Sequence, residues 1–192
     1  GSVADNYVTF ENGINKSRLV TYLRVPLESK ITAVMLFRVP EGQSAASGMD
    51  RPIFSNRSGS DALSAIGVTL TNGREGDTYD SHTILSLDGG FIESDFAFSI
   101  LALSITPYGL KVYRYTNNVL IPVATHNGAL NGWLTGSSGN AIVFGGGGRS
   151  NNCNTADISL ASVHTGDVTD AQLEDICEFV KTYGEQKGLT IE

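Results

Sequence analysis

Aromatic and amide side chains occur together in the glycine-rich stretches of this chain. Trp133 lies in the stretch LNGWLTGSSGN with Asn131 and Asn140 close by, and Tyr108 and Tyr113 lie around a predicted hairpin. A sugar ring has C–H groups on one face and hydroxyl groups around its rim, so binding it requires an exposed aromatic plane beside planar hydrogen-bonding groups. These five residues are therefore candidates for binding a sugar. The alternative, left open here, is that Trp133 fills the core.

A second polar stretch follows the glycines at positions 145–148. It contains Arg149 and Asn152, whose side chains could line a cleft. Glycine runs also cradle phosphates, but a P-loop requires Lys followed by Ser or Thr at a strand-to-helix junction, and here Arg149 and Ser150 follow instead. The glycines therefore predict a loop without a nucleotide site, and Arg149 and Asn152 join the candidate ligand-binding residues.

The acidic residues lack the spacing that glycoside cleavage requires. A retaining enzyme needs an acid and a nucleophile about 5 Å apart, which alternate positions of one strand provide, yet the chain contains no E-x-D-x-E pattern. Glu93 and Asp95 are the nearest pair. A serine hydrolase would need an elbow such as G-x-S-x-G, which is also missing. We therefore predict no catalytic residues and no enzyme activity, with a polysaccharide-cleaving enzyme that uses Glu93 and Asp95 as a less favoured alternative.

Metal ligands are sparse in the sequence. The three histidines are isolated, without the Cys/His clusters that bind zinc, and are expected at strand ends or in loops. Asp77, Asp80 and His82 could contribute ligands to calcium, but a calcium site usually needs six or more oxygen ligands. We therefore predict no cofactor and no metal site, with calcium left open as an alternative.

Composition excludes several classes of partner. The net charge of −7 and the isoelectric point near 4.9 argue against a surface that neutralises phosphates, so nucleic acid is not an expected partner. No apolar run approaches the roughly 18 residues of a membrane span, so no membrane insertion is expected. The two cysteines, Cys153 and Cys177, are compatible with one disulfide or with two free thiols.

The elements that must position the candidate residues are mostly β-strands. Apolar residues alternate, or occur in short runs bounded by turn dipeptides such as Asn127-Gly128, a pattern typical of two packed sheets. Both faces of Ile31–Arg38 are mostly apolar, which predicts a central core strand, and Asn117-Asn118 predicts a hairpin tip. The other predicted strands are Leu19–Val25, Ile53–Ser55, Ile66–Thr71, Thr83–Leu87, Phe96–Ile105, Leu110–Tyr115, Val119–Ala124, Ala141–Phe144 and Ile158–Val163.

One helix is predicted, from Thr169 to Gly184. Thr169 and Gln172 form a capping box, and a hydrophobic staple is expected beside it. An apolar stripe with helical spacing predicts one buried face that contains Cys177, and Gly184 is expected to stop the helix. The helix is therefore predicted to be a packing element that follows the last strand.

The order of these segments resembles the concanavalin A-like lectin/glucanase superfamily, and within it the laminin-G-like domains. The resemblance covers nearly the whole chain, although each motif is only a hydrophobic pattern with a few glycines. Asn117-Asn118 departs from the commoner Asn-Gly tip. The segments that carry the resemblance are ITAVMLFRVP at 31–40, PIFSN at 52–56, FSILALSITPYGLKVYRY at 98–115, NAIVFGGG at 140–147 and ADISLASVHTGDVTDAQLEDICEFVKTYG at 156–184.

The resemblance implies an all-β fold, an antiparallel two-sheet jelly-roll sandwich with one C-terminal amphipathic helix. Gly1 and Ser2 are typical of a tag-cleavage scar, and residues 3–192 are expected to form one domain. We expect a non-catalytic carbohydrate-binding module of a larger surface, adhesion or viral tail protein, located on the extracellular surface or the virion, with a glycan or cell-surface polysaccharide as partner. The alternative is a structural or decoration domain that binds a protein partner in a larger assembly.

Overall fold

The structure of the chain is a computed structural model. It describes residues 2–3, 6–10, 19–20, 30–40, 52–55, 65–69, 82–86, 94–128, 142–144 and 156–192. In chain order the elements are β1 (Ser2–Val3), β2 (Val8–Phe10), β3 (Leu19–Val20), β4 (Ile31–Arg38), β5 (Pro52–Ser55), β6 (Ala65–Thr69), β7 (His82–Ser86), β8 (Ala97–Thr106), β9 (Gly109–Thr116), β10 (Val119–Asn127), β11 (Val143–Phe144), β12 (Ala156–Thr165), α1 (Asp170–Gln186) and β13 (Thr190–Ile191).

The strands form two sheets. The large sheet has the order β1-β2-β12-β4-β8-β9-β10, with β13 added beside β8, and the small sheet has the order β3-β11-β5-β6-β7. Two pairs, β6 with β7 and β13 with β8, are parallel, and the other pairs are antiparallel. The predicted antiparallel two-sheet sandwich is confirmed, and each predicted strand overlaps an observed one.

Strand β4 lies at the centre of the large sheet and is buried on both faces. Because successive side chains point to opposite faces, Met35 and Phe37 contribute to the core between the sheets, whereas Val34 and Leu36 contribute to the core beneath α1. A strand that is apolar on both faces needs a layer on each side. The predicted central core strand at 31–38 is confirmed, and the structure covers its two faces with the small sheet and with α1.

Two apolar clusters fill the spaces between these layers. The inner core, between the sheets, contains the buried residues Ile31, Ala33, Met35, Phe37, Val39, Phe54, Leu101, Leu103, Ile105, Leu110, Val112, Ile142, Phe144, Ala156 and Ile158. The outer core, between the large sheet and α1, contains the buried residues Val34, Leu36, Phe98, Ile100, Ala102, Tyr113, Tyr115, Leu173, Cys177 and Val180.

Helix α1 begins as its sequence predicts. The Gln172 N–H donates to Thr169 Oγ1 at 3.3 Å, and the Thr169 N–H donates to Gln172 Oε1 at 2.9 Å, which completes the capping box. Leu173, Cys177 and Val180 are buried, so the predicted apolar face is also confirmed. Within the described ranges, no helix is both long enough and apolar enough to cross a bilayer.

The predicted stop at Gly184 is wrong. The helix continues to Gln186, Lys187 is the C-cap, and Gly188 adopts the positive φ of 77° that ends the turn. Gly184 is buried instead, and a Cβ there would lie 2.8 Å from both Leu36 Cδ2 and Ile191 Cδ1. The glycine is therefore needed for close approach. Strand β13 follows α1, so the helix does not follow the last strand.

Replacing Gly184 with alanine should destabilise the domain by about 1 kcal/mol. The added methyl group would overpack the outer core, which costs about 2 kcal/mol. The higher helix propensity of alanine would stabilise the helix by about 1 kcal/mol and offset part of that cost. Urea unfolding measures the free energy. Thr182→Ala is the matched control, because Thr182 is exposed in the same turn and its replacement adds propensity without a clash. A Gly184→Ala variant as stable as the wild type would contradict the packing described here.

Candidate functional site

The β8–β9 hairpin presents Tyr108 at one end of the large sheet. The tyrosine is 76% exposed, the largest exposed fraction among the candidate residues that the structure describes. The Tyr108 N–H donates to Thr106 Oγ1 at 3.2 Å, and that hydroxyl donates to the Gly109 carbonyl oxygen at 3.3 Å. These bonds hold the turn in one conformation. Tyr108 therefore offers an exposed aromatic ring on a hydrogen-bonded turn.

A second turn is joined directly to this hairpin. Strand β10 ends at Asn127, and the Gly128 N–H donates to the Tyr108 carbonyl oxygen at 3.0 Å. His126 lies beneath the second turn, because a Cβ at Gly128 would be 3.4 Å from its Nε2. Residues 106–109 and 126–128 thus form one compact unit, which we call the Tyr108 end.

Gly128 is the last described residue before the stretch that contains Trp133. In the sequence four residues separate Gly128 from Trp133, Asn131 belongs to the same stretch, and Asn140 is near its end. The bond from the Gly128 N–H to the Tyr108 carbonyl oxygen therefore fixes the position of the residue that precedes this candidate stretch.

The second polar stretch, which contains Arg149 and Asn152, precedes Ala156, the first residue of β12. The start of β12 pairs with the end of β4, whereas the Tyr108 end lies beyond the start of β4. Ala156 and Gly128, the described residues next to the two stretches in the sequence, therefore lie at opposite ends of the large sheet. Trp133, Asn131, Asn140, Arg149 and Asn152 themselves lie outside the described residues and stay predictions.

Tyr113 does not present an exposed ring, which corrects the expectation for this residue. It is only 8% exposed, and its neighbour Tyr115 is also buried. Both point to the face of the large sheet that α1 covers, and the Tyr115 hydroxyl donates to Glu178 Oε2 at 2.7 Å. The apolar face that the sequence predicts for the helix must pack against a face of a sheet. Tyrosines on that sheet face are then buried beneath the helix, and this was the signal in the sequence that some tyrosines would not be exposed.

Two exposed aromatic residues were not among the candidates predicted from the sequence. Phe96 lies at the start of β8, where Ser94 Oγ accepts from the Phe96 N–H at 3.1 Å and from the Ala97 N–H at 2.9 Å. Phe179 is 67% exposed on the outer face of α1. The helical spacing of the sequence already places Phe179 outside the apolar stripe. Neither belongs to the Tyr108 end.

A buried ion pair lies at the opposite end of the sheet. The Arg38 guanidinium donates to Asp157 Oδ2 from Nε at 2.9 Å and also from its second terminal nitrogen, and Thr9 Oγ1 donates to Asp157 Oδ1 at 2.7 Å. The rings of Tyr7 and Phe98 lie 5.1 and 4.9 Å from the guanidinium carbon. Burial opposes the charge of Arg38, but the bond to Asp157 outweighs it and raises the pKa of the guanidinium. The Arg38 Nη1 group also donates to the Asp95 carbonyl oxygen at 2.6 Å, and the network stabilises the fold by pairing both buried charges.

The described residues give no support for a hydrolytic site. His164 Nε2 lies 3.2 Å from Ser162 Oγ, but no carboxylate in the described ranges hydrogen-bonds this histidine. Asp95 is exposed, and Glu93 lies outside the described residues. No group of three His, Cys, Asp or Glu side chains in the described part of the chain could hold a metal. Asp77 and Asp80, from the calcium alternative, lie outside it.

The Cys177 thiol is buried and free. Burial, together with the charge of Glu174, raises its pKa from 9.0 to about 12. Thiolate is the nucleophilic form of cysteine, so Cys177 is unsuited to covalent chemistry. Its place in the outer core is structural.

We expect the stability of the domain to fall as the pH rises from about 9 toward 12. The folded pKa of Cys177 exceeds the unfolded value, so unfolding releases a proton above pH 9, and the stabilisation present below that pH is lost. Burial raises the pKa of Tyr115 in the same direction. Urea unfolding across this range measures the effect, and Cys177→Ala should flatten the slope. Equal slopes for the variant and the wild type would contradict the burial of the thiol.

The fold can be compared with solved structures. No protein-family model matches the chain, and no curated protein matches its sequence. The Ca²⁺- and mannose-bound exoplasmic/lumenal domain of VIP36 aligns with a TM-score of 0.51 and 13% identity, over 88% of this chain and 81% of that one. The CBM40 of the Ruminococcus gnavus IT-sialidase, bound to α2,3-sialyllactose, aligns with a TM-score of 0.51 and 16% identity, over 88% and 97% of the two chains.

A third structure is domain 4 of AbnA, a GH43 extracellular arabinanase from Geobacillus stearothermophilus, in complex with arabinotriose. It aligns with a TM-score of 0.50 and 20% identity, over 91% of this chain and 82% of that one. At these identities the likeness is one of fold. The all-β sandwich with a C-terminal helix, which the order of the sequence segments predicted, is confirmed.

Proposed function

We propose that this domain is a non-catalytic carbohydrate-binding module that holds its ligand at the Tyr108 end. The observation that carries the proposal is the exposed Tyr108 ring on a hydrogen-bonded turn, whose carbonyl oxygen accepts from Gly128, the last described residue before the Trp133 stretch. Two further points support it. The fold is shared with domains solved with mannose, sialyllactose and arabinotriose, and the sequence lacks the E-x-D-x-E spacing that would place an acid and a nucleophile on one strand.

The chemistry of binding follows from the exposed groups. The Tyr108 ring would stack on the C–H face of a sugar, while its hydroxyl and the exposed amide of Asn127 accept and donate hydrogen bonds to the rim. Trp133, Asn131 and Asn140 would complete the site from the adjoining stretch. Because the turn that carries the ring is already hydrogen-bonded before the ligand arrives, little ordering cost of the backbone is added on binding.

The biological setting belongs to the same proposal. A laminin-G-like module of a larger surface, adhesion or viral tail protein would meet glycans or cell-surface polysaccharides on the extracellular surface or the virion. An acidic domain with net charge −7 favours neutral glycans over highly anionic ones.

A glycan array tests the proposal most broadly. The domain should bind a restricted set of glycans, and incubation with the matching polysaccharide should release no reducing sugar. A flat response across diverse glycans would contradict carbohydrate binding. Release of reducing sugar that is lost in Glu93→Gln or Asp95→Asn would contradict the non-catalytic assignment and support the enzyme alternative.

Exposed apolar side chains on the edge strand β10 favour the second candidate function, an assembly domain. Val119 and Ile121 are exposed there at 52% and 45%, and β10 ends the large sheet in the described part of the chain. Pro122 and the irregular register that follows it protect this edge against strand addition. Light scattering separates the candidates, because an assembly domain should form a defined oligomer that Ile121→Lys disrupts, whereas a carbohydrate-binding module needs none.

A further inference from the structure

The dipeptide Asn127-Gly128 belongs to the Tyr108 end. Asn127 is the last residue of β10, pairs with Gly109 of β9 and is exposed. Asparagine loses its side-chain amide most readily when glycine follows, because glycine has no Cβ to hinder the approach of its nitrogen to the preceding side chain. Within the described ranges, no other asparagine precedes a glycine. The structure therefore describes the surroundings of one residue that is chemically prone to deamidation.

Deamidation at this position needs water as its only co-reactant. The Gly128 nitrogen attacks Asn127 Cγ, so that an N–Cγ bond forms, the Cγ–Nδ2 bond breaks, and the proton of the Gly128 nitrogen leaves with the ammonia. Water then opens the cyclic imide. Attack at Cγ gives aspartate, and attack at the backbone carbonyl carbon gives isoaspartate, in which the chain continues through the side chain. Water is consumed and ammonia is released in equal amounts, and nothing is oxidised or reduced.

The closed Tyr108 end opposes this reaction in two ways. The Gly128 N–H donates to the Tyr108 carbonyl oxygen at 3.0 Å, so the attacking nitrogen is engaged and retains its proton. The extended backbone of Asn127 in β10 also rotates its side chain away from the following nitrogen about the Cα–C bond. Ring closure therefore requires the Gly128–Tyr108 bond to break and the end of β10 to leave β9. Local openings of this kind at strand ends require much less free energy than global unfolding.

We propose that Asn127 is a modification site, converted to aspartate or isoaspartate when the Tyr108 end opens, and that the Gly128–Tyr108 bond sets the rate. Both products place a carboxylate beside Tyr108. Isoaspartate also adds a backbone atom, which is incompatible with the pairing of residue 127 with Gly109. A further consequence, which rests on the proposed function, is that conversion removes an amide that would bond to the glycan and therefore lowers the affinity.

Peptide mapping by mass spectrometry during incubation at neutral pH tests the proposal. The folded domain should convert Asn127 at least about tenfold more slowly than the chain unfolded in urea, because the reaction proceeds from the open fraction. Thr106→Ala removes two hydrogen bonds of the turn that carries Tyr108 and should raise the folded rate at least about threefold. Hydrogen exchange of the Gly128 amide measures the same opening and should rise by the same factor. Thr182→Ala, at an exposed threonine of α1, is the matched control and should change neither rate.

Equal rates of conversion in the folded and the unfolded chain would overturn the proposal. The same holds if Thr106→Ala accelerates hydrogen exchange at Gly128 but leaves the conversion of Asn127 as slow as in the wild type. An array-positive glycan at about ten times its Kd should slow the folded rate about tenfold, because it stabilises the closed Tyr108 end. An unchanged rate with bound glycan would contradict the proposed function, whereas the rates measured without glycan would still support the modification site.

Discussion

Replacing Asp157 with alanine is expected to destabilise the domain by about 3–5 kcal/mol. The Arg38 side chain is 15% exposed, that of Asp157 only 4%, and two guanidinium nitrogens donate to the same carboxylate oxygen, Asp157 Oδ2. Removing the carboxylate would leave the guanidinium largely buried without its counter-charge and the Thr9 hydroxyl without its acceptor. A natural domain is stable by only about 5–15 kcal/mol, so this single change removes a large part of the total.

Two controls separate the ion pair from other effects of substitution. The double variant Arg38→Met/Asp157→Leu should recover most of the loss, because it replaces both charges with apolar groups of similar size. Asp167→Ala removes the partner of Lys30 in an exposed ion pair and should cost less than about 1 kcal/mol. Urea unfolding gives all the free energies. If Asp157→Ala costs no more than Asp167→Ala, the buried pair does not stabilise the fold as described.

Replacing Tyr108 with alanine is expected to weaken glycan binding at least tenfold, which corresponds to about 1.4 kcal/mol. The ring is the exposed aromatic plane of the Tyr108 end, and its loss removes the stacking surface without touching either core. The unfolding free energy should therefore change little. Isothermal titration with an array-positive glycan measures the affinity.

The matched variants define what the ring contributes. Tyr108→Phe keeps the stacking plane and should retain most of the affinity, apart from the hydroxyl bonds. Phe179→Ala removes an exposed ring at a position remote from the Tyr108 end and should have no effect. Unchanged affinity in Tyr108→Ala, with the wild-type stability, would show that the glycan binds elsewhere.

The sequence predicts best the strands, turns and helix ends whose signals come from residues close together in the chain. The apolar period of Ile31–Arg38 marked the central strand, Asn117-Asn118 marked a hairpin, and Thr169 with Gln172 marked the helix start. Each of these depends on residues a few positions apart, so the pattern itself contains the cause. Strands β1, β2 and β13 were missed because they are very short and form only by pairing with distant segments.

Contacts between distant segments explain the remaining differences. Gly184 has the usual sequence features of a helix stop, but the need for close approach to Leu36 and Ile191 cannot be read from its neighbours. Likewise, Arg38 and Asp157 are separated by 119 positions and carry no spacing that pairs them. Tyr113 was expected near the surface because the docking of α1 on the large sheet was not considered.

The candidate site was predicted in part. The sequence identified Tyr108 from its residue type and turn context, and the structure confirms that its ring is exposed. The bond from Gly128 to Tyr108 depends on the β9–β10 register and has no sequence signature.

The most direct test of the central claim is an NMR titration of the ¹⁵N-labelled domain with an array-positive oligosaccharide. We predict that the largest saturating amide shifts fall at Thr106–Gly109 and at Asn127 and Gly128, and that Tyr108→Ala abolishes them. Saturating shifts confined to residues outside the Tyr108 end, or no shifts with any array-positive glycan, would contradict the assignment of carbohydrate binding to this end of the sandwich.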